Sequence, residues 1–379
     1  LSDHIKVETK DPDLYPKFTS QYTDQTVAAN SVIVVCGDKS KVVSNSDMWE
    51  TSTNYQTYQT QTTGFDGEGQ ITSAITYVTS ENNPKVYWVT GHGEASESDL
   101  STNFSDAINK NNVEISDLAL MTDDIPEDAE ELVIMSPTTD FSEDEANKVI
   151  TYLENGGKLL MFTSYTGTDM PNLDSILENY GVKRSSGIVV ETDSQHYYPQ
   201  MPYYLLPNIQ SDDITTEVKS NYVLMPVAQA IQKLDSYRDT ITIKSLLTTT
   251  EDAYIENDPE NSTWSKSADS ETGAFDLGVS ITETVDDKET QIIYFSSASM
   301  LSSQIDQAIS GANSKLAATA LTSMCDVEQT VVIPSKSTSY TNLVFTQGAV
   351  NTWSIITIAG IPLVLVVIGV MIWMKRRKQ

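Results

Sequence analysis

The chain has 379 residues, of which 53 are acidic and 23 are lysine or arginine, so its formal net charge is −30. All the acidic residues precede residue 353 and four of the basic ones follow residue 374, so the part before residue 353 has a net charge of −34. Such a surface repels the phosphates of nucleic acids and of anionic lipids, which excludes a nucleic-acid-binding protein.

The two cysteines, Cys36 and Cys325, are far apart in the sequence and exclude a disulfide-rich scaffold. Each lies at the end of an apolar pattern, so we expect two buried free thiols. The chain begins at Leu1, without an initiator methionine, and we expect a preceding segment that held a signal peptide or a first membrane helix.

The first part of the chain shows short strand and helix patterns. Ile5–Glu8 is typical of a strand. The stretches Ser31–Cys36 and Lys41–Ser44 flank a glycine-containing turn and predict a β-hairpin. Met48–Thr63 is rich in threonine, glutamine and tyrosine without periodicity, which predicts a surface loop, and Glu68–Val78 predicts a helix.

The middle of the chain alternates strand and helix patterns. The strand Lys85–Thr90 ends at a glycine-rich loop. Ser142 and Glu145 have the spacing of a capping box, and the helix that they begin ends at a Gly-Gly pair before the strand Lys158–Phe162. The short apolar stretch Leu132–Ser136 before the capped helix predicts a strand of the buried parallel type. This strand, the helix and the strand Lys158–Phe162 indicate a βαβ unit with a parallel sheet.

Gln195–Pro207 contains three prolines and four tyrosines, which predicts an ordered loop without regular structure. The remaining predicted elements are strands at Gly187–Glu191, Ile241–Leu247, Phe275–Ile281 and Gln291–Phe295, a polar loop at Tyr254–Thr272, and helices at Ser302–Ile309 and Asn313–Cys325.

The last part of the chain has the pattern of a membrane helix. From Trp353 to Met374 it contains no charged residue, asparagine, glutamine or histidine, and four basic residues follow directly. A helix of this length spans roughly 30 Å, the thickness of a bilayer's hydrocarbon core. Basic residues favour the cytoplasmic side, so we predict that everything before Trp353 is extracytoplasmic.

The stretch Thr90-Gly91-His92-Gly93-Glu94 is the strongest candidate for a functional site. In open α/β sheets ligands bind outside the carboxyl ends of strands, and this loop follows such an end. Two glycines let the backbone approach a ligand, and His92 with Glu94 has the chemistry of an acid–base pair. The alternative is a glycine-shaped turn in which His92 caps a neighbouring element, because neither a nucleophile nor a metal set accompanies the pair.

The aromatic segment is a second candidate, with His196, Tyr197, Tyr198, Tyr203 and Tyr204 as its candidate contact residues. It is either a binding surface for a partner or sugar, or a self-packed cover over the sheet. Motifs of zinc proteases, redox Cys-x-x-Cys sites, phosphate loops and nucleophile elbows do not occur in the sequence. We therefore predict neither a metal site nor a cofactor.

Several segments in a fixed order resemble the extracytoplasmic GldG-like auxiliary proteins of ABC transporters. The segments are Asp11-Pro12-Asp13, Gly37-Asp38-Lys39-Ser40-Lys41-Val42-Val43, Val86-Tyr87-Trp88-Val89-Thr90-Gly91-His92-Gly93-Glu94, Ile125-Pro126-Glu127-Asp128-Ala129, Ser136-Pro137-Thr138-Thr139-Asp140-Phe141-Ser142-Glu143-Asp144-Glu145, Glu154-Asn155-Gly156-Gly157-Lys158-Leu159-Leu160, Glu271-Thr272-Gly273-Ala274-Phe275, and the C-terminal helix with its basic tail.

The resemblance implies an α/β protein with membrane helices flanking its two domains. The parts are a thioredoxin-like domain (1–82), truncated at its start, a glutamine-amidotransferase-like domain with a flavodoxin-like, mostly parallel sheet (84–330), a stalk (331–352), a single transmembrane helix (353–374) and a basic cytoplasmic tail (375–379). The first part lacks Cys-x-x-Cys, and Thr163-Ser164-Tyr165 follows the strand on which an amidotransferase carries its cysteine nucleophile. Both domains are therefore expected to lack the chemistry of their fold relatives.

We accordingly predict a non-enzymatic, membrane-anchored ectodomain that works with ABC permease and ATPase subunits. It is expected to bind a partner or ligand through the Gly91–Glu94 loop, with the Tyr197–Tyr204 segment beside it. One alternative is a hydrolase in which Ser164 or Ser136 is the nucleophile and His92 the base, and another is a free-standing polysaccharide or peptide binder. The sequence leaves the transported substrate and the oligomeric state open.

Overall fold

The computed structural model describes residues 4–11, 14–15, 17–24, 26–54, 59–80, 83–260, 263–325, 333, 336–337 and 343–377. The chain forms two compact units. The first comprises Leu1–Pro84, Asp106–Glu114 and Asp326–Thr341, and the second Lys85–Ser105, Ile115–Cys325 and Asn342–Gln379. Residues 331–332, 334–335 and 338–342 of the predicted stalk, 331–352, and residues 378–379 of the basic tail lie outside the described residues.

Strands and α-helices alternate in the middle of the described chain, and most of the other strands follow one another directly. The strands are β1 (Val32–Cys36), β2 (Lys39–Val43), β3 (Trp49–Asn54), β4 (Gln59–Phe65), β5 (Lys85–Val89), β6 (Glu114–Leu118), β7 (Glu131–Met135), β8 (Lys158–Phe162), β9 (Val182–Val190), β10 (Tyr197–Tyr198), β11 (Met201–Leu205), β12 (Asn208–Ile209), β13 (Met225–Pro226), β14 (Gln229–Lys233), β15 (Ile241–Thr248), β16 (Tyr254–Glu256), β17 (Asp276–Val285), β18 (Lys288–Phe295) and β19 (Lys336–Ser337). The α-helices are α1 (Gly67–Thr79), α2 (Thr102–Lys110), α3 (Glu143–Glu154), α4 (Pro171–Asn179), α5 (Ser303–Ala308), α6 (Ala312–Met324), α7 (Gln347–Ile355) and α8 (Ile361–Arg377). Short 3₁₀ helices lie at Thr19–Gln21, Ser46–Met48, Glu97–Asp99, Thr216–Val218 and Ala298–Leu301.

The first unit is built on two small antiparallel sheets. One is the predicted hairpin β1–β2, and in the other β4 lies between β3 and β19. Helix α1 covers a small core of Val43, Met48 and Ala74. The thioredoxin-like identity of this part stays a prediction.

Among the described residues, the second unit is organised around an eleven-stranded mixed sheet. Its main strand order is β16-β9-β14-β17-β18-β8-β7-β5-β6, with β15 paired to β17 and β12 to β15. The neighbours β5, β7, β8 and β18 are parallel, so their carboxyl ends share one edge of the sheet, whereas β9 and β14–β17 add antiparallel pairs. The α/β class and the βαβ unit β7–α3–β8 are confirmed.

The central parallel strands are buried because helices cover the sheet. All five residues of β7 are buried, as expected for a strand with both faces covered. Leu132, Ile134, Leu159 and Met161 belong to one apolar cluster that also includes residues of α3 and α4. This packing fixes the strand ends on which the candidate site is built.

Glu131, at the start of β7, is an ionisable residue within this core. It is fully buried; its Oε2 accepts a hydrogen bond from Cys325 Sγ at 3.3 Å, and its Oε1 has no partner. Burial raises the pKa of Glu131 well above 4.5, and neighbouring Glu130 adds to this, whereas Cys325 and Lys158 oppose it. The folded protein therefore holds a proton here that the unfolded chain releases as the pH rises.

Glu131→Gln is therefore expected to stabilise the protein increasingly as the pH rises. Above pH 4.5 the unfolded chain gains the free energy of ionisation and the folded protein does not, so the wild type loses stability that the variant keeps. Urea unfolding should show an advantage of about 1–3 kcal/mol for the variant at pH 8 and little at pH 5. Exposed Glu127→Gln is the control, and an advantage for Glu131→Gln that does not change with pH would refute the neutral carboxyl.

Four sequence predictions were wrong. Ile5–Glu8 has no strand, and Met48–Thr63 contains β3 and β4 rather than a loop, because cross-strand pairing organises a polar hairpin that lacks an apolar repeat. Gln195–Pro207 contains β10 and β11: Pro199 lies in the turn between them, and Pro202 lies in the irregular part of their pairing, outside the residues that pair with β10 or β13. Cys36 is an exposed free thiol, whereas Cys325 is buried and free as predicted.

The C-terminal helix begins earlier than predicted. It runs from Gln347 to Arg377 and is long and apolar enough to cross a membrane, in agreement with the predicted span. A π-helical turn at Ile356–Gly360 joins α7 to α8 just before Pro362. Both features are usual causes of a local bend in a helix.

Candidate functional site

The glycine loop after β5 is fixed at its base by contacts to neighbouring strands. Trp88 Nε1–H donates to Ala95 O at 2.9 Å, and Ala95 N–H donates to Met135 O, at the end of β7, also at 2.9 Å. Thr138 N–H donates to His92 O at 2.9 Å. The loop therefore bridges the ends of β5 and β7.

Two glycines shape this loop for different reasons. Gly91 has φ 123° and would meet no atom with an added Cβ, so only its backbone conformation requires glycine. Gly93 has φ 77°, and an added Cβ would also overlap Thr138 Oγ1. Gly91, Gly93 and the neighbouring Thr138 and Thr139 form the exposed surface of the loop.

His92, in contrast, is buried. Its side chain lies between two carboxylates, with Nδ1 3.3 Å from Glu94 Oε1 and Nε2 3.2 Å from Glu145 Oε2. Its ring packs on Phe141 with centroids 4.3 Å apart. Glu94 Oε2 also accepts the backbone N–H of His92 at 2.7 Å. Both ring nitrogens are thus engaged inside the protein.

Glu145 joins this histidine to the beginning of α3. Its Oε2 accepts from Ser142 N–H at 2.9 Å and from Ser142 Oγ–H at 2.7 Å, which completes the predicted capping box. Burial by itself would raise the pKa of Glu145, but the hydrogen bonds from Ser142 and the charge of His92 outweigh it, so the pKa lies below 4.5. His92, predicted as a partner of Glu94 in an acid–base pair, thus also connects the loop to α3 through Glu145 inside the protein.

The hydrolase alternative requires a hydrogen bond between His92 and either Ser136 or Ser164. The three side chains form other hydrogen bonds. Ser136 Oγ–H donates to Ser164 Oγ at 2.8 Å, while His92 faces Glu94 and Glu145. Ser136 has φ 54°, an uncommon conformation for a residue with a side chain. This geometry does not favour a serine activated by a histidine.

The aromatic segment is a small sheet rather than a loop. Strand β11 pairs with β10 and with β13, and the ring of Tyr203 lies 4.4 Å from that of Trp264 and 5.4 Å from that of Tyr204. Tyr197, Tyr198, Tyr203 and Tyr204 are all half-buried. His196 Nδ1 lies 3.2 Å from Leu206 O, across the base of the hairpin.

The glycine loop and the aromatic sheet lie along the same edge of the main sheet but on different strands. Tyr204 pairs with Pro226, whose carbonyl accepts from Ser297 Oγ at 2.5 Å, just beyond the end of β18. Ala298 N–H in turn donates to Thr163 O at the end of β8. The pair Ser136–Ser164 lies between these ends and the glycine loop, because it joins the ends of β7 and β8.

Sequence reasoning missed three residues of this edge, Thr138, Thr139 and Trp264, and also the contact between Ser136 and Ser164. The stretch Ser136-Pro137-Thr138-Thr139, directly after β7, was the available signal for the first two. Among the described residues, no cluster of three histidine, cysteine, aspartate or glutamate side chains could hold a metal ion. What the edge presents to solvent is exposed backbone, hydroxyls and aromatic rings.

Residues 83–323 match the family model described as an ABC-type uncharacterized transport system. No curated protein sequence shows significant similarity to the chain. Among solved structures, the mmIFT52 N-terminal domain is 15% identical with a TM-score of 0.46, over 63% of this chain and 96% of that one.

Two further structures are similar over about two thirds of this chain. The exo-β-1,4-mannosidase Op5Man5 from Opitutaceae bacterium strain TAV5 is 10% identical with a TM-score of 0.33, over 67% of this chain and 37% of that one. A ThuA-like protein from Parabacteroides merdae is 13% identical with a TM-score of 0.33, over 68% of this chain and 98% of that one.

Proposed function

The chain belongs to the ABC-type uncharacterized transport system family, and from this membership we propose that it is a non-catalytic extracytoplasmic subunit of an ABC transporter complex. The family match over residues 83–323 carries the proposal. It identifies an auxiliary component of a transport system, and we propose a permease and an ATPase as the specific partners.

The C-terminal helix supports anchoring beside a permease. Gln347–Arg377 is apolar, and none of the residues in its most apolar window is buried within the protein. A helix that is apolar on all sides requires lipid or another helix around it. Lys375, Arg376 and Arg377 at its end support a cytoplasmic C-terminus and an extracytoplasmic position for both units.

We further propose that the partner binds at the strand-end edge, around Gly91, Gly93, Thr138 and Thr139. Carboxyl ends of parallel strands are the usual binding edge of open α/β sheets. The buried His92–Glu145 connection supports this role, because it makes the exposed loop rigid and thus reduces the entropy lost on binding. The aromatic sheet, with Tyr203 and Trp264, extends the same edge.

Co-purification of the whole chain, with its helix intact, tests the proposal. Extraction of native membranes with a mild detergent, affinity capture and mass spectrometry should recover a permease and an ATPase in comparable amounts. A tagged single-pass protein of unrelated sequence is the control for non-specific capture. Recovery of neither subunit with an intact protein would refute the transporter role and favour a free-standing polysaccharide or peptide binder.

A further inference from the structure

The β10–β11 hairpin is joined directly to the beginning of the C-terminal helix. Gln200 N–H, at the hairpin turn, donates to Gln347 Oε1 at 2.7 Å. Gly348 N–H donates to Ser194 O at 2.6 Å, just before the hairpin. The first helical turn thus donates one bond to the hairpin segment and accepts another from it.

Thr346 strengthens this junction from the helix side. Its hydroxyl accepts from Ala349 N–H at 3.1 Å, which caps the helix, and donates to Gln195 Oε1, also at 3.1 Å. Gly348 is buried, and a Cβ at this position would overlap the amide of Gln195. The contact therefore depends on glycine at the first turn of the helix.

The junction lies close to the expected membrane surface. Trp353 begins the uncharged part of the helix, and tryptophan favours the membrane–water interface. Gln347 precedes it by six residues, which is about 9 Å of helix. The headgroup layer on each side of the hydrocarbon core is roughly 5–8 Å thick. Gln347, at about 9 Å, therefore lies at the outer boundary of this layer, and the hairpin bonded to it lies at the membrane surface.

The surface of the hairpin has the chemistry of this layer. Residues 194–210 contain no lysine, arginine, aspartate or glutamate, in an ectodomain whose net charge is −34. Tyr197 and Tyr198 are half-buried, and Met201, which follows the turn, is 37% exposed. Phe345, 47% exposed, lines a shallow groove together with Trp353 on the adjoining helix turn. Tyrosine and tryptophan combine an apolar ring with a polar group, which suits the headgroup region.

We propose that the β10–β11 hairpin rests in the phospholipid headgroup layer and seats the second unit on the membrane around its own helix. At the turn of the hairpin, around Gln200 and Met201, the occupant is lipid rather than protein, because this end is bonded to the membrane helix and lies in an uncharged, aromatic segment. Tyr203 instead packs on Trp264. The inference rests on the proposed function in one respect, since it requires that the C-terminal helix span the membrane. Binding depends on aromatic burial and not on charge, so zwitterionic lipid suffices.

Site-specific fluorescence quenching in phosphatidylcholine nanodiscs tests this placement. A Cys36→Ser background removes the exposed thiol and leaves the buried Cys325. A fluorophore at Met201→Cys should be quenched by headgroup nitroxide lipids about twofold or more above one at Val285→Cys. Val285 is also an exposed apolar residue, but it lies at the β17–β18 turn, at the opposite end of the sheet. Quenching at Met201→Cys no stronger than at Val285→Cys would overturn the proposal.

Two glycine variants and one further label sharpen the result. Gly348→Ala should displace Gln195 and reduce quenching at the Met201→Cys label towards the Val285→Cys value, whereas Gly369→Ala, where a Cβ meets no atom, should leave it unchanged. Equal quenching in both variants would show that the junction does not position the hairpin and would overturn its role. A label at Ile368→Cys, quenched by nitroxides deep in the acyl chains, confirms the membrane span. If it is unquenched, the anchoring in the proposed function fails, and the inference fails with it.

Discussion

Glu145→Ala should lower the free energy of unfolding by about 3 kcal/mol, one of the two largest effects that we expect. The change removes the acceptor of two bonds from Ser142 and of one from His92. Loss of the helix cap costs about 1 kcal/mol. The remaining loss of free energy of unfolding arises because His92, which is 5% exposed, keeps only one of its two carboxylate partners. Urea unfolding at pH 7 measures the difference.

Glu143→Ala is the matched control, because Glu143 also lies in the first turn of α3 but is exposed. It should cost less than about 0.5 kcal/mol. The pKa of Glu145 is below 4.5, so its ionised form stabilises the fold above that pH, and this contribution is lost as the pH falls through the lowered pKa. The deficit of Glu145→Ala should therefore shrink as the pH falls below 4.5. Equal losses in both variants would show that the buried connection contributes nothing.

Trp88→Ala should cost about 3–5 kcal/mol, since it leaves a large cavity. Trp88 is 2% exposed in β5, and its indole N–H holds Ala95 at the base of the glycine loop. Trp88 fills the core and also holds the loop through its indole hydrogen bond. Trp88→Phe should separate these two roles, because it keeps most of the apolar volume and removes the hydrogen bond. We expect a loss of about 1–2 kcal/mol and faster amide hydrogen exchange at residues 92–95.

Tyr87→Phe is the control for this pair of variants. Tyr87, the preceding residue of β5, donates its hydroxyl to Asp128 on the exposed surface at 3.0 Å. Loss of that bond should cost less than about 0.5 kcal/mol and leave exchange in the loop unchanged. If Trp88→Phe behaves in the same way, the indole bond does not order the candidate binding surface.

Local patterns in the sequence were sufficient to predict the elements whose start or turn is set by a few neighbouring residues. The capping box Ser142–Glu145 predicted the beginning of α3, and the apolar stretches on either side of Gly37 predicted β1 and β2. Each of these signals lies within a few residues, so the tertiary structure adds little to it.

Elements stabilised by distant pairing could not be predicted. Strand β11 contains Pro202 and is held by β10, by β13 and by the bond from Glu191 N–H to Pro202 O. Strand β14, Gln-Ala-Ile-Gln-Lys, lacks the apolar run by which β8, which is equally short, was recognised. Composition alone favours a loop for both segments.

The candidate site shows the same limit. The glycine loop and the capping box were each recognised, but nothing in the sequence indicates that His92 contacts Glu145, 53 residues away. That contact and the one to Glu94 hold both ring nitrogens of His92 inside the protein. The exposed threonines beside it carry the proposed surface instead.

The central proposal is that the strand-end edge binds a transporter subunit, and site-specific photo-crosslinking in native membranes tests it most directly. A photoreactive amino acid would replace Thr139, which is exposed and whose backbone bonds to His92 O, or Thr284, exposed at the opposite end of the sheet. We predict a crosslink from position 139 to a permease subunit and none from position 284. A permease crosslink of equal strength from both positions, or from neither, would contradict the proposal.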